Sequence, residues 1–308
     1  MPSISVSIAA HYVPRRVPYL AEVLLAIARW TEREIDVVLD TNDAAVLADE
    51  QLAGALSALR SRGARVRCEV AHSMAHPWHL TWWHKSRLRE FSESEGDPAD
   101  LFMYVEDDIV VTQENLDYFT SYLPAAKAKG CLPGFMRFEK RADGVLMSAD
   151  YRGYQLVEDC QRIELDGQPF VAPRFPYWAG FIMDRELARE YFTSDWSDLE
   201  KADTKPQSNR NSCRVQSAWA LTFEKVPDGF WSRYVVPVDD ALQPLDCCLV
   251  WHSADNYNVS KQYSFGTVKS KHVFQQRSLP GRLRQSAWQV SAFRRRAFDK
   301  LRRMLAIG

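Results

Sequence analysis

No stretch of the 308-residue chain approaches the roughly 20 consecutive apolar residues of a membrane-spanning helix, so no segment reads as a transmembrane anchor. The six cysteines (Cys68, Cys131, Cys160, Cys213, Cys247, Cys248) show no CxxC spacing, which argues against a zinc ribbon or a redox dithiol. The first residues, MPSISVSIAAHYVPRR, lack the charged start, apolar middle and cleavage site of a secretory leader. Together these absences lead us to expect free thiols in a cytoplasmic protein. Charge of one sign is also lacking: the formal net charge is -1, so the chain as a whole carries no nucleic-acid signal. There is no internal repeat. What the chain does have is 46% apolar and 12% aromatic residues, enough for a substantial core.

Ile4, Val6 and Ile8 alternate with serines as in a strand, and Leu20, Val23, Leu24 and Ile27 then recur at helical spacing. A second strand (Ile35 to Asp40) is followed by a helix through Leu52, Leu56 and Leu59 that stops at Gly63. A third strand runs over Val66, Cys68 and Val70, with helical spacing from about Leu80 to Phe91. A fourth, Leu101 to Val105, ends in Glu106-Asp107-Asp108. This alternation predicts an α/β fold with a mostly parallel sheet and helices on both faces. Thr112 should cap a helix reaching Leu123, Tyr177 to Met183 reads as a buried strand, and Asp184 should cap the next helix. Short strands are expected at Gly134 to Glu139 and Ile163 to Leu165, and residues 193–212 read as a long polar loop.

In open α/β sheets, ligands sit beyond the carboxyl ends of the strands. There this chain places His11, then Asp40-Thr41-Asn42-Asp43, then Glu106-Asp107-Asp108. Three adjacent carboxylates repel one another, and a hard divalent cation such as Mn²⁺ or Mg²⁺ would relieve that repulsion while bridging phosphate oxygens. The alternative is a solvated acidic turn. Far downstream, His252 closes the apolar run Cys247 to Trp251 and offers a second ligand. In HPWHLTWWHKSRLREF, His76, His79, His84, Lys85 and Arg87 lie before or within a probable helix start, where backbone NH groups favour anions; a solvated basic face is the other reading. The histidine spacing does not match a zinc site.

The ordered set HPWHLTWWHK, LFMYVEDDIVVTQENLDYF, FPYWAGFIMDRELAREYF and WHSADNYN resembles GT-A glycosyltransferases, in particular a bacterial branch associated with surface polysaccharides, over roughly residues 3–260. The resemblance equates the acidic triplet with the DxD element of that family. It implies that Asp108 and His252 would hold Mn²⁺ or Mg²⁺. Glu106 would contact the donor ribose or the metal's water shell, with Asp107 beside it. Asp40 and Asn42 would lie near the nucleobase and ribose, with Ala10 and His11 as neighbours. His84, Lys85, Trp178 and Gly180 complete the expected nucleotide-sugar site, Gly180 either for close backbone approach or for packing alone.

One departure concerns the carboxylate base of inverting members, since SCRVQSAWALTF carries Arg214 and Gln216 where the acid is expected. Either Asp195, Asp198 or Glu200 supplies it, or the reaction retains configuration. The implied organisation is a catalytic domain over 1–275, with a nucleotide-binding half (1–125) and an acceptor-binding half (126–275), and an extension over 276–308. The implied activity is transfer of a sugar from a nucleoside-diphosphate donor, UDP-linked in the first instance, to a glycan or lipid-linked acceptor. The competing readings are another metal-dependent nucleotide enzyme (a nucleotidyltransferase or pyrophosphohydrolase) and a silent carbohydrate-binding protein. AAHYVPRR has no glycine-rich phosphate loop, which counts against a nucleotidyltransferase. From Arg282 to Ile307 the spacing predicts a basic amphipathic helix, suited to the inner face of the cytoplasmic membrane or to packing on the domain, without a nucleic-acid recognition motif.

Overall fold

The computed structural model describes residues 3–276 except 32–33, 73, 75, 95, 97–98, 206–211 and 260–264. The expected basic helix of the extension lies outside the described residues.

Strands β1 (Ile4–Ala10), β2 (Ile35–Thr41), β3 (Arg65–Val70) and β4 (Leu101–Glu106) pair in parallel in the order β4-β1-β2-β3. Ile4, Val6 and Ile8 are each at most 1% exposed, and burying such side chains contributes about 1.5–3 kcal/mol apiece. Helices α1 (Val17–Ala28) and α2 (Ala53–Ser61) pack together, as do α3 (Lys85–Glu93) and a later helix over Arg185–Thr193. The chain steps outward from β1 to β3 and then returns to the other side of β1 for β4. The topological switch point is therefore the crevice between the carboxyl ends of β1 and β4, where the acidic triplet stands.

The stretch expected to be helical from Leu80 is divided: a 3₁₀ turn over Pro77–Trp82 precedes α3. His76 caps that turn, its Nδ1 accepting from Trp78 N at 3.1 Å. After β4 comes a turn at Asp107-Asp108, a short strand β5 (Ile109–Val110) and α4 (Gln113–Ala128), capped by Thr112 and Asn115 in a reciprocal capping box.

The second half forms two further four-stranded sheets. One, β10-β11-β13-β6, is made of β6 (Leu132–Pro133), β10 (Arg162–Leu165), β11 (Gln168–Val171) and β13 (Tyr234–Pro237). The other, β5-β14-β7-β8, joins β5 to β7 (Met136–Lys140), β8 (Leu146–Ser148) and β14 (Leu249–His252). Two short strands, β9 (Gln155–Leu156) and β15 (Phe274–Gln275), pair with each other.

Strand β12 (Gly180–Asp184) adds to β4 antiparallel and leads into α5 (Arg185–Thr193), which Asp184 caps by accepting from Leu187 N. The strand is shorter than the sequence predicts because Ala179 adopts φ 59°, a left-handed conformation costly for a residue with a Cβ. That bend aims the Ala179 carbonyl at Glu106 N, 3.1 Å away.

The polar segment after α5 is not a structureless loop. A 3₁₀ turn at Asp195–Ser197 is anchored by buried Trp196, and α6 (Leu199–Asp203), capped by Asp198, is anchored by buried Ala202; α7 (Cys213–Trp219) follows. Two buried anchors in a polar run leave no period to read in the sequence, which is why the helices were not expected. All six cysteines are free thiols, and no described helix is long and apolar enough to cross a membrane.

Candidate active site

Strand pairing assembles the site. Strand β14 runs antiparallel to β5, with His252 opposite Ile109, and Ser253 N donates to the Asp108 carbonyl at 2.8 Å. Its other edge pairs in parallel with β7, Trp251 level with Phe138, which brings Glu139 alongside His252. Glu139 Oε1 lies 2.7 Å from His252 Nδ1, and the same carboxylate accepts from the backbone NH groups of Asn256, Tyr257 and Asn258. The imidazole also stacks on the Tyr257 ring, centroids 5.3 Å apart. Held this way, His252 turns Nε2 toward Asp108 Oδ2, at 3.4 Å.

All three triplet carboxylates are at most 5% exposed. Asp107 receives a fork from Arg16, whose Nε donates to Oδ2 at 2.8 Å and whose Nη2 meets Oδ1; the same Nη2 donates to Asp108 Oδ2 at 2.9 Å. Glu106 accepts from the Tyr177 hydroxyl at 3.2 Å and faces Arg214 at 3.6 Å. Arg137 is forked onto Asp150 and lies over the Tyr177 ring at 4.7 Å. One oxygen is left over: Asp108 Oδ1 is buried and has no hydrogen-bond donor.

Electrostatics divide the triplet. Burial raises Asp107 to about 7 against the pull of Arg16, with its carboxylate neighbours adding to the rise. Burial likewise raises Glu106, although Arg214 opposes it. For Asp108, burial also acts upward, but His252, Arg16 and Arg137 outweigh it and hold the carboxyl well below its usual range. The mirror effect falls on His252, where Asp108 and Glu139 overcome burial and lift it to about 9.

The donors around Asp108 suit a divalent cation. Asp108 offers a buried oxygen without a donor, and His252 Nε2 faces the same carboxylate while a carboxylate, Glu139, fixes Nδ1, as is usual for a histidine that binds a metal through its other nitrogen. Among the described residues no three His, Cys, Asp or Glu side chains converge on one point. The chain therefore supplies a partial set, and the remaining positions would fall to ligand oxygens and water, as is usual where a cation is shared with phosphates. The residues fit.

The other expected residues are placed as follows. Ala10 ends β1 and His11 follows it, half-buried, its pKa lowered by burial and by Arg16 and Arg15. Asn42 bridges the ends of β1 and β2, its Oδ1 accepting from Tyr12 N at 2.6 Å and its Nδ2 donating to Tyr12 O. Asp40 points away into a cluster of its own, where both its oxygens meet Arg87 at 2.5 Å and Ser7 donates to Oδ2.

His84, Lys85 and Arg87 are not brought to the triplet. His84 stacks on Tyr104, centroids 4.1 Å apart; Lys85 is bonded to the Tyr191 hydroxyl inside a box with Trp82 and Phe181; Arg87 serves Asp40 and Glu69. Burial pushes both His84 and Lys85 well below their ordinary values, and these contacts engage both side chains away from the triplet. The positive charge beside the triplet comes instead from Arg16, Arg137 and Arg214.

A Cβ on Gly180 would meet Tyr104 O at 2.6 Å and the buried Trp178 ring at 2.7 Å, so packing alone requires the glycine. Among the described residues no hydrogen bond or ion pair joins the three candidate bases to the triplet. Asp195 pairs with Lys205, Asp198 caps α6 and Glu200 is exposed on it. Two other carboxylates are set against α7: Asp203, which accepts from Gln216 Nε2 at 2.9 Å, and Glu106, which faces Arg214.

A cavity of about 930 Å³ lies at the amino ends of the strands, lined by Ser3, Asp36, Arg65 and Arg67 among others; it is the wrong end of an α/β sheet for the chemistry, and Asp36 is already paired with both arginines.

No family model matches the chain, and no characterised protein matches it in sequence. Among solved structures, S. aureus TarS is similar at 13% identity and a TM-score of 0.34, over 61% of this chain and 29% of TarS. TarS 1-349 is similar at 13% identity and a TM-score of 0.37, over 71% of this chain and 56% of that one. The same segment in complex with UDP-GlcNAc gives 13% identity and a TM-score of 0.33, over 61% and 47%. The chain thus spans between 29% and 56% of the length of these structures.

Proposed function

We propose that this protein is a metal-dependent glycosyltransferase that moves a sugar from a nucleoside-diphosphate donor to a glycan or lipid-linked acceptor in the making of a surface polysaccharide. The observation that carries the reading is the buried, donorless Oδ1 of Asp108 beside an imidazole whose other nitrogen is already fixed, at the switch point of the sheet. A buried carboxylate oxygen without a partner costs of order 1–3 kcal/mol or more, and a cation is the partner this geometry accepts.

Mn²⁺ or Mg²⁺ bound there would neutralise negative charge growing on the departing diphosphate. The rest is work for the chain's own side chains. Glu139 holds His252 in one orientation through a carboxylate that three backbone NH groups fix in turn. Arg16 spans Asp107 and Asp108 and keeps the turn between β4 and β5 from splaying under its own repulsion. Arg214 and Tyr177 orient Glu106 at the β4 end, in register with Ala9 just before Ala10 and His11, where a donor ribose would lie. Tyr12 and Asn42, locked together across the ends of β1 and β2, form the floor on which a nucleobase would rest. Such preorganised groups act most strongly where water is excluded.

The test is a thermal-shift panel of UDP, GDP and CDP with and without Mn²⁺. A ligand at a hundred times its Kd stabilises the native state by about 2.7 kcal/mol. One nucleotide should raise the melting temperature only when Mn²⁺ is present, and Asp108→Asn should abolish the shift. If neither nucleotide nor metal stabilises the protein, the silent-scaffold reading takes its place.

A further inference from the structure

Away from the triplet, the 3₁₀ turn at Val157–Asp159, the loop around Arg174 and the turn before β13 enclose an open cleft of about 550 Å³, within the size range of ligand sites. Its lining is Glu158, Asp159, Gln161, Arg174, Phe230 and Trp231, with Gly229. Trp231 is 52% exposed, a large apolar area to leave in water, and the Arg174 guanidinium lies over its ring at 4.8 Å. The Gln161 side-chain oxygen is buried without a donor.

We infer that this cleft is a binding platform for a neutral oligosaccharide, a second subsite that grips the acceptor glycan beyond the sugar being extended. The inference rests on the glycosyl-transfer reading for the acceptor's role, though not for the chemistry of the cleft. The pattern is what sugar recognition needs. An exposed indole offers a flat face to the CH groups of a pyranose, while carboxylates, an amide and a guanidinium around it accept from and donate to hydroxyls. Among the described lining residues two carboxylates accompany one guanidinium, a balance that suits neutral hydroxyls better than a phosphate.

The cleft is also tied to the active site by a short piece of chain. Arg174 stands three residues before Tyr177, whose hydroxyl donates to Glu106. Three residues span at most about 11 Å, the length of two or so sugar units. An acceptor chain seated against Trp231 would follow this stretch, on which Phe175 is 72% exposed, toward the triplet.

The test uses the full chain and intrinsic tryptophan fluorescence, titrated with maltohexaose, cellohexaose and chitohexaose and with the matching monosaccharides. At least one hexasaccharide should bind about tenfold or more tightly than its monosaccharide, and Trp231→Ala should weaken it at least about tenfold, Arg174→Ala somewhat less. Because quenching of Trp231 is lost with the residue, the variants are followed by calorimetry. Trp231 is exposed, so the variant should keep its melting temperature, and its affinity for nucleoside diphosphate with Mn²⁺ should be unchanged. No binding of any hexasaccharide, or binding indifferent to Trp231, would overturn the platform even with nucleotide binding intact. Trp231-dependent glycan binding without nucleotide binding would uphold the platform and remove the transferase reading instead. Self-association in sedimentation that Trp231→Ala abolishes, with no glycan bound, would mark the face as a protein contact and overturn the inference.

Discussion

Two buried carboxylate clusters stand level with each other on the central sheet, since Asp40 and Glu106 are both in register with Ala9. Both involve arginine, and in both burial pushes a carboxyl upward, Asp40 to about 6 and Asp107 to about 7. They differ in what is left unmet. Around Asp40, Ser7 and Arg87 satisfy both oxygens, Arg87 goes on to Glu69, and the atom left over is a donor, Arg87 Nε, which no cation could serve. Around the triplet, Asp108 keeps one oxygen without a donor. Burial and a shifted carboxyl are common to both clusters; a leftover acceptor oxygen at the switch point is what sets the proposed site apart.

The sharpest way to break this comparison is to cut each cluster and ask what fails. Arg87→Met leaves Asp40 and its neighbours without their cation, and breaking a buried pair of this kind costs about 3–5 kcal/mol. Urea unfolding should show that loss, while whatever remains folded should bind nucleoside diphosphate and Mn²⁺ as before. Asp108→Asn should act on function first, lowering turnover on the order of a hundredfold or more, followed as nucleoside diphosphate release from the folded protein; its lost pairs with Arg16 and His252 also lower the urea midpoint, offset in part by relief of the repulsion within the triplet.

Two smaller effects sharpen the contrast. Glu139→Gln keeps the shape beside His252 but removes the charge that orients it, and loss of such a partner lowers metal affinity about 10- to 100-fold, measurable by Mn²⁺ titration. Asp195→Asn, at a half-exposed carboxylate paired with Lys205 on the surface, should alter turnover by no more than about twofold. A large loss there would restore it as a catalytic base.

Much of the fold was legible in the sequence because its signals are local. Alternation marked β1, apolar runs marked β2 and β4, and Thr112 and Asp184 cap the helices they were expected to cap. The segment after α5 was not legible, because Trp196 and Ala202 find their buried places only through tertiary contact.

The site divides along the same line. Glu106-Asp107-Asp108 stands out as adjacent letters, and a strand-end histidine can be noticed. That His252 meets Asp108 depends on β14 lying against β5, a pairing across more than a hundred residues. Arg16, Glu139, Tyr177 and Arg214 were missed as site members for that reason, each ordinary in its own neighbourhood; only the position of Arg16 just after β1 was a clue. His84, Lys85 and Arg87 illustrate the converse. Their helix start was visible, but which side of the sheet it covers was not, and α3 turns them into buried aromatic and carboxylate partners.

The most direct test is Mn²⁺ binding followed by electron paramagnetic resonance in the presence of the nucleoside diphosphate that stabilises the protein. The account predicts one bound Mn²⁺ per chain, lost in Asp108→Asn and retained in Asp195→Asn. Mn²⁺ bound with unchanged affinity in Asp108→Asn would contradict it.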